Sequence, residues 1–402
     1  MKRRKFLKTS AVGLASALLP LGMSKAATEA VASKNQTRSG VETPVFLAGM
    51  VKGSSGKVFK TAVREAAEAA TDFSWLSKGD AVFIKPALNS GNPYPATTSP
   101  EAVAAMTSLL IEKGAGRVVV GDMSGIEHVK LTPEGVRGSS RELMKSCGMA
   151  EAALGAGAEL YFPEEAGWKA FYDDMPVSGS HWKGGLMMPN LLKEVDHIVL
   201  MPRCARHVLA GSTLGLKAAV GYWRTDTRLE YHRDAATFQE KTAEGNTVGT
   251  LLDKQRLVLT AADKILTSFG PDKGYIVQPE TGLVIASESV VAHDMVSLAW
   301  LLLNRENIPE SEKDIFSDPY ESQFIVTAGN HWVVGKLGGW MAALTPEGLT
   351  RNDINTIWDD RVLNRAYQVL GGRPKIRMKT ETRTVPGELK ERLREMTTPE
   401  IS

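Results

Sequence analysis

The chain has 402 residues, 43% hydrophobic and 23% charged, an ordinary balance for a globular protein of two or three structural units or one large α/β domain with insertions. Its 48 Lys and Arg against 46 Asp and Glu give a formal charge of +2. That charge supplies no global field for gathering nucleic acid, and no basic cluster with interleaved aromatics replaces it. The two cysteines, Cys147 and Cys204, provide neither a disulfide framework nor metal-ligand spacing, and are expected as free, partly buried thiols.

In chain order, Arg3 and Arg4 come first, in a basic run with Lys2, Lys5 and Lys8. Phe6 and Leu7 follow, then an apolar stretch over 11–23 and the small-residue site Ser24-Lys25-Ala26. This order resembles a twin-arginine (Tat) export signal. The apolar stretch is shorter than the ~20 residues of a spanning helix and contains Pro20 and two glycines. Residues 1–26 are therefore expected as a cleaved signal peptide that leaves no stable membrane anchor. The mature protein is expected to be periplasmic or extracytoplasmic, exported folded, with the Tat machinery as a partner. The leader holds six basic and no acidic residues, so cleavage leaves 42 against 46 and a charge of −4. Nucleic acid stays excluded as a partner. Residues 27–43 are small, polar and aperiodic and read as a flexible tether.

Beyond the tether, apolar strand-like runs alternate with helical periods. Strands are expected at 44–51, 81–84 and 117–120, with helices over 58–73 and 100–113 between them, the second capped by Ser99 with Pro100 at its first position. Further strands are expected at 197–200, 264–266 and 283–286, with helices over 212–220, 247–261 and 290–304. The βαβα order and the short continuous apolar runs predict an α/β fold, a mostly parallel doubly wound sheet flanked by helices. Residues 161–189 read as an inserted loop or hairpin. Residues 44–305 form the expected α/β core, and 306–402 an α+β extension packed on it, loop-like at 335–339 and helical over 351–370.

Ligands of such sheets bind outside the carboxyl ends of the strands. After the second strand come Lys85, Asn89, Thr97 and Thr98, where a point charge, amide and hydroxyl donors and a helix N-terminus favour an anion. After the third come Asp122, a candidate base or metal ligand, and Ser124, in a Gly-flanked segment with His128 behind it. After the 197–200 strand, Arg203, Arg206, His207, Thr213 and Lys217 converge on one anion-attracting corner. Tyr222, Trp223, Arg224, Arg228 and the run Tyr231-His232-Arg233-Asp234 read as an exposed lid, and Asp294 as a further ligand contact or a helix-terminal charge. Asp122, His207 and Lys217 are the catalytic candidates. Lys85, Asn89, Thr97, Thr98, Ser124, Arg203, Thr213 and Asp294 are the substrate-binding candidates. A divalent metal stays open through His128, His207, His232 and His293 with Asp122 or Asp294, although no local metal motif such as HExxH occurs.

These segments together resemble the family catalogued as domain of unknown function 362. The resemblance rests on Gly79-Asp80-Ala81-Val82-Phe83-Ile84-Lys85-Pro86 with Asn89, on Thr97-Thr98-Ser99-Pro100-Glu101, and on Arg117-Val118-Val119-Val120-Gly121-Asp122. It continues through Leu200-Met201-Pro202 with His207, Thr213-Leu214 and Lys217, and through Ala286-Ser287 with Val291-Ala292 and Asp294. Many relatives look like electron-transfer proteins because a ferredoxin-type cysteine segment is attached. This chain has two cysteines where one cluster takes four thiolates, so no iron–sulfur cluster is carried over. The family's Lys-Asn pair is Lys217-Ala218 here. The expected ligand is a small anion, carboxylate or phosphate, held either by an enzyme or by a non-catalytic solute- or cofactor-binding or maturation protein; a redox protein without its own cluster is the weakest reading.

Overall fold

The computed structural model describes residues 42–313, 322–380 and 384–399. The expected signal peptide and all of the expected tether except Glu42 and Thr43 lie outside these residues. Eight strands form the main sheet: β1 (Glu42–Val51), β2 (Ala81–Pro86), β3 (Arg117–Gly121), β4 (Glu159–Tyr161), β5 (His197–Met201), β6 (Gln255–Ala262), β7 (Thr281–Ser287) and β8 (Lys375–Thr380). Their spatial order is β8-β1-β7-β6-β5-β2-β3-β4. All neighbours run parallel except β7, which is antiparallel to both β1 and β6.

Strand periodicity explains why both faces are covered. Val82 and Ile84, Val118 and Val120, and Val199 point into one apolar layer, with α1 (Gly56–Ala70) and α2 (Pro100–Glu112) packed over it. Phe83, Val119 and Ile198 point into the other, against Trp182, Tyr222, Trp223, Tyr231 and Phe238. At the β1–β7 end that second face is closed by α5 (Val290–Arg305), which buries Val291, Met295 and Leu298 against Leu47 and Ile285. Each such side chain contributes roughly 1.5–3 kcal/mol when fully buried. Ser99 does cap α2, its hydroxyl accepting from the Ala102 N–H at 3.3 Å.

Five expectations need correction. The stretch expected as a helix over 247–261 is a short helix, Gly249–Lys254, that enters β6 with no Gly or Pro break to mark the change. Ile265–Leu266 lies in a separate four-stranded sheet with Ala205–His207, Gly211–Thr213 and Ile276–Val277, not in the main one. The segment 212–220 begins as the Gly211–Thr213 strand and becomes helical only at α3 (Gly215–Ala218). Residues 335–338 close the helix Gln323–Gly338, where Gly338 admits the Leu229 and Ala342 side chains so near that a Cβ would meet both. The last expected helix is shorter, Arg361–Val369, because the Asp360 carboxylate accepts from the Val362 N–H at 2.8 Å and sets its start there. The inserted region does contain a hairpin, Phe171–Asp174 with Leu186–Pro189.

Candidate functional site

The carboxyl ends of β2, β3 and β5 open onto a cavity of about 340 Å³, within the range of small-molecule sites. It is lined by Lys85 from β2, Asp122 after β3, Arg203 and His207 after β5, and Thr213 and Lys217 from the strand-to-helix turn. Asn89, Asp272 and the apolar side chains of Val208, Leu209, Trp332 and Val333 complete its wall. Sequence reasoning thus named seven residues that the fold brings to one cavity.

The β2 corner is fully paired. Lys85 Nζ lies 3.0 Å from Asp122 Oδ1 and donates to the Pro86 carbonyl at 2.8 Å. Asp122 also accepts from the Met123 N–H at 2.9 Å and, through Oδ2, from the Leu88 N–H at 2.8 Å. Both carboxylate oxygens, expected to act as a base, are therefore committed to neighbours. Burial lowers the Lys85 pKa, and Asp122 opposes that shift. Gly221 closes over this pair, and a Cβ there would overlap the Asp122 carboxylate and crowd the Lys85 ammonium.

The opposite corner is not paired. Among the described residues Lys217 has no ion pair and no hydrogen bond; its nearest aromatic contact is the Tyr231 ring, 5.6 Å from Nζ to the centroid. Burial, then the charges of Arg228, Arg203 and Lys85, bring its pKa down to about 7. His207 Nδ1 accepts from the Leu209 and Ala210 N–H groups at 3.1 and 3.2 Å. That fixes a neutral ring with its proton on Nε2. Burial first, then Lys217, Arg203, His232 and Arg206, lower the His207 pKa well below the usual value.

Arg203 and Arg228 remain cations at neutral pH, each lowered by burial to about 10. Arg203 Nη1 donates to the Ala96 carbonyl and, at 2.6 Å, to that of Pro271. This ties down a loop in which Phe269 adopts a left-handed φ of 48°, a conformation that non-glycine residues hold mainly where surroundings impose it. Arg228 spans the Ser124, Met123 and Gly221 carbonyls at 2.7, 2.7 and 3.2 Å. Sequence reasoning placed Arg228 and His232 on an exposed lid. Both are instead buried on the helix α4 (Thr225–Arg233), and both line the cavity. Tyr222, Trp223 and Tyr231 are core residues as well.

Thr97, Thr98, Ser124 and Asp294 do not line the cavity. The Thr97 hydroxyl donates to the Asn92 carbonyl at 3.0 Å, and that of Thr98 to the Met201 carbonyl at 2.6 Å. The Ser124 backbone is held by Ser140 and Arg228. Asp294 accepts from the Gly215 and Leu216 N–H groups at 2.8 and 2.7 Å, so it caps α3 from another helix. Arg206 turns to the Gly211 carbonyl at 3.1 Å, across its own hairpin.

The four histidines expected as metal ligands do not gather. His293 is buried between Thr260 and Asp294, and His232 bonds Asn330. A different set lies near the cavity mouth: Glu127, His128 and Asp272 offer ligand atoms all within 4.8 Å of one another. Cys147 and Cys204 are both buried free thiols, two where a cluster takes four. No helix among the described residues is long and apolar enough to cross a membrane.

Fold and site together define an α/β protein whose cavity, at the carboxyl edge of the sheet, is lined by the basic side chains of Lys85, Arg203, Lys217 and Arg228 and the acids Asp122, Glu127 and Asp272. The chain belongs to the domain of unknown function 362 family, whose sequence profile matches residues 82–299, just over half its length. No protein of curated function matches it in sequence. Among solved structures it is similar to the lactate racemase apoprotein from Thermoanaerobacterium thermosaccharolyticum, at 16% identity and a TM-score of 0.34, covering 62% of this chain and 54% of that one. It is also similar to a structural-genomics protein from Thermotoga maritima, at 12% identity and a TM-score of 0.39, covering 64% of this chain and 61% of that one.

Proposed function

We propose that this protein is exported by the Tat route and holds a small anionic molecule, a carboxylate or phosphate, in the cavity, where Lys217 and His207 handle protons as part of an enzymatic reaction. One observation carries the reading. Four cationic side chains, Lys85, Arg203, Lys217 and Arg228, line one cavity, and among the described residues only Lys85 has an ion-pair partner. Cations buried or half-buried without an acid partner are costly, and an anion would offset them. Lys217 supplies the group that changes protonation near neutrality, and His207 a neutral donor. Asp122 fixes Lys85 rather than acting as a base.

The commitment of both Asp122 oxygens supports a second reading, a non-catalytic carrier of a solute or cofactor. A divalent cation on Glu127, His128 and Asp272 would add charge at the mouth under either reading. Titration of the purified mature protein with phosphate and with simple carboxylates, followed by melting temperature, tests the anion. A rise in melting temperature that vanishes in Lys217→Met supports it, and no shift with any anion overturns it. Turnover of the bound molecule separates enzyme from carrier. For location, Arg3→Lys with Arg4→Lys is expected to hold the protein in the cytoplasm; unchanged export would overturn the Tat assignment.

A further inference from the structure

We propose that the anion taken into the cavity carries an aldehyde or ketone carbonyl beside its carboxylate, as in a 2-oxo acid, and that Lys217 Nζ captures it as an imine. The proposal rests on the anion reading above and adds the substrate class and the covalent step.

Geometry separates Lys217, half-buried on the cavity wall, from the fully buried lysines Lys85 and Lys241. Lys85 is held by Asp122 at 3.0 Å, and Lys241 lies 3.5 Å from Glu230 and 3.7 Å from Asp234. An ammonium in an ion pair has no lone pair to give. Among the described residues Lys217 has no acid to hold its proton, and it lines the cavity directly. The cations around it, Lys85, Arg203 and Arg228, disfavour a further charge and attract a carboxylate. These are the two conditions of a nucleophilic lysine, a desolvated amine beside other cations. His207 lines the same cavity with its proton on Nε2, a hydrogen bond for the carbonyl oxygen.

The step balances without an oxidant or reductant. The Nζ lone pair attacks the carbonyl carbon to form a carbinolamine. The carbonyl oxygen then leaves as water with the two hydrogens that the amine carried, and a C=N bond replaces C=O. Arg203 is a positioning cation for the carboxylate in this scheme.

The test is reductive trapping of the mature protein at neutral pH with glyoxylate or pyruvate and cyanoborohydride, read by intact mass and peptide mapping. Propionate serves as a carboxylate without a carbonyl. Labelling of Lys217 is expected at least ~10-fold faster than at exposed lysines, which are almost wholly protonated at this pH, and excess propionate should slow it. Lys217→Arg retains the cation and loses the nucleophile, so it should still be stabilised by propionate while losing the adduct. If propionate and pyruvate stabilise the wild type equally and Lys217 is labelled no faster than surface lysines, the imine fails and the anion site stands. If neither ligand shifts the melting temperature and Lys217 is not labelled, both readings fail.

Discussion

Lys85 and Lys217 share a cavity, and their surroundings treat them in opposite ways. Lys85 sits at a strand end with a carboxylate, a backbone carbonyl and the Tyr222 ring arranged around its ammonium. Lys217 sits on a short helix among like charges, with no acid partner among the described residues. The first arrangement makes a lysine structural, because its charge is neutralised where it is buried. The second leaves an amine whose protonation a ligand can change. Residue type is the same in both and both line one cavity; the difference lies in the partners that long-range folding supplies.

The largest expected effect is at the paired corner. Asp122→Ala removes the one ion-pair partner that buried Lys85 has among the described residues, and two acceptors for backbone N–H groups. Breaking one side of a buried pair costs about 3–5 kcal/mol, which urea unfolding would register as a lower midpoint. A loss below ~1 kcal/mol would mean that Lys85 finds water or releases its proton. The contrast with Lys217 would then collapse.

A smaller effect is expected where the unpaired corner is anchored. Asp294→Ala takes the charged acceptor from the Gly215 and Leu216 N–H groups, costing about 1–3 kcal/mol. Because that cap orients the helix carrying Lys217, imine trapping at Lys217 should slow more than ligand-induced stabilisation falls. Asp294→Asn, which keeps one acceptor, should recover part of the rate. Equal loss of both readouts would reduce Asp294 to a purely structural cap.

The strands that build the cavity were legible in sequence because each is a short apolar run followed by polar residues, as in Val82-Phe83-Ile84-Lys85 and Val118-Val119-Val120-Gly121-Asp122. Position after a strand identified Lys85, Asp122, Arg203, His207 and Lys217 as neighbours of one cavity. Position could not say which polar groups other chain segments would claim. Thr98 was taken by the Met201 carbonyl and Asp294 by the α3 backbone, both over long sequence separations. Arg228 and His232 were misread for a related reason. The α4 sequence Thr-Asp-Thr-Arg-Leu-Glu-Tyr-His-Arg reads as polar on every side, whereas in the fold Arg228 donates to three carbonyls and His232 bonds Asn330. Glu127, His128 and Asp272 form a group only through chain closure, which no local spacing announces.

The smallest loss of stability at neutral pH, and the sharpest test of the contrast, is expected for Lys217→Met. The substitution removes an unpaired, half-buried amine and keeps its apolar stem, so stability near pH 7 should not fall. The pH dependence should change as well. Unfolded Lys217 keeps its proton up to the ordinary lysine pKa of 10.5, whereas the folded residue releases it around 7. Between those values the unfolded state binds one more proton, so this group makes the wild type more stable as pH rises, by about 1.4 kcal/mol per pH unit. Below about 7 both states are protonated and the slope vanishes. Burial sets this window first, then Arg228 on α4, Arg203 after β5 and Lys85 on β2; the adjoining His207 and His232 are neutral throughout it. Unfolding midpoints measured from pH 7 to 10 should therefore climb more steeply in the wild type than in Lys217→Met. Parallel profiles would show that Lys217 holds its proton throughout, and its corner would then be as fully neutralised as that of Lys85.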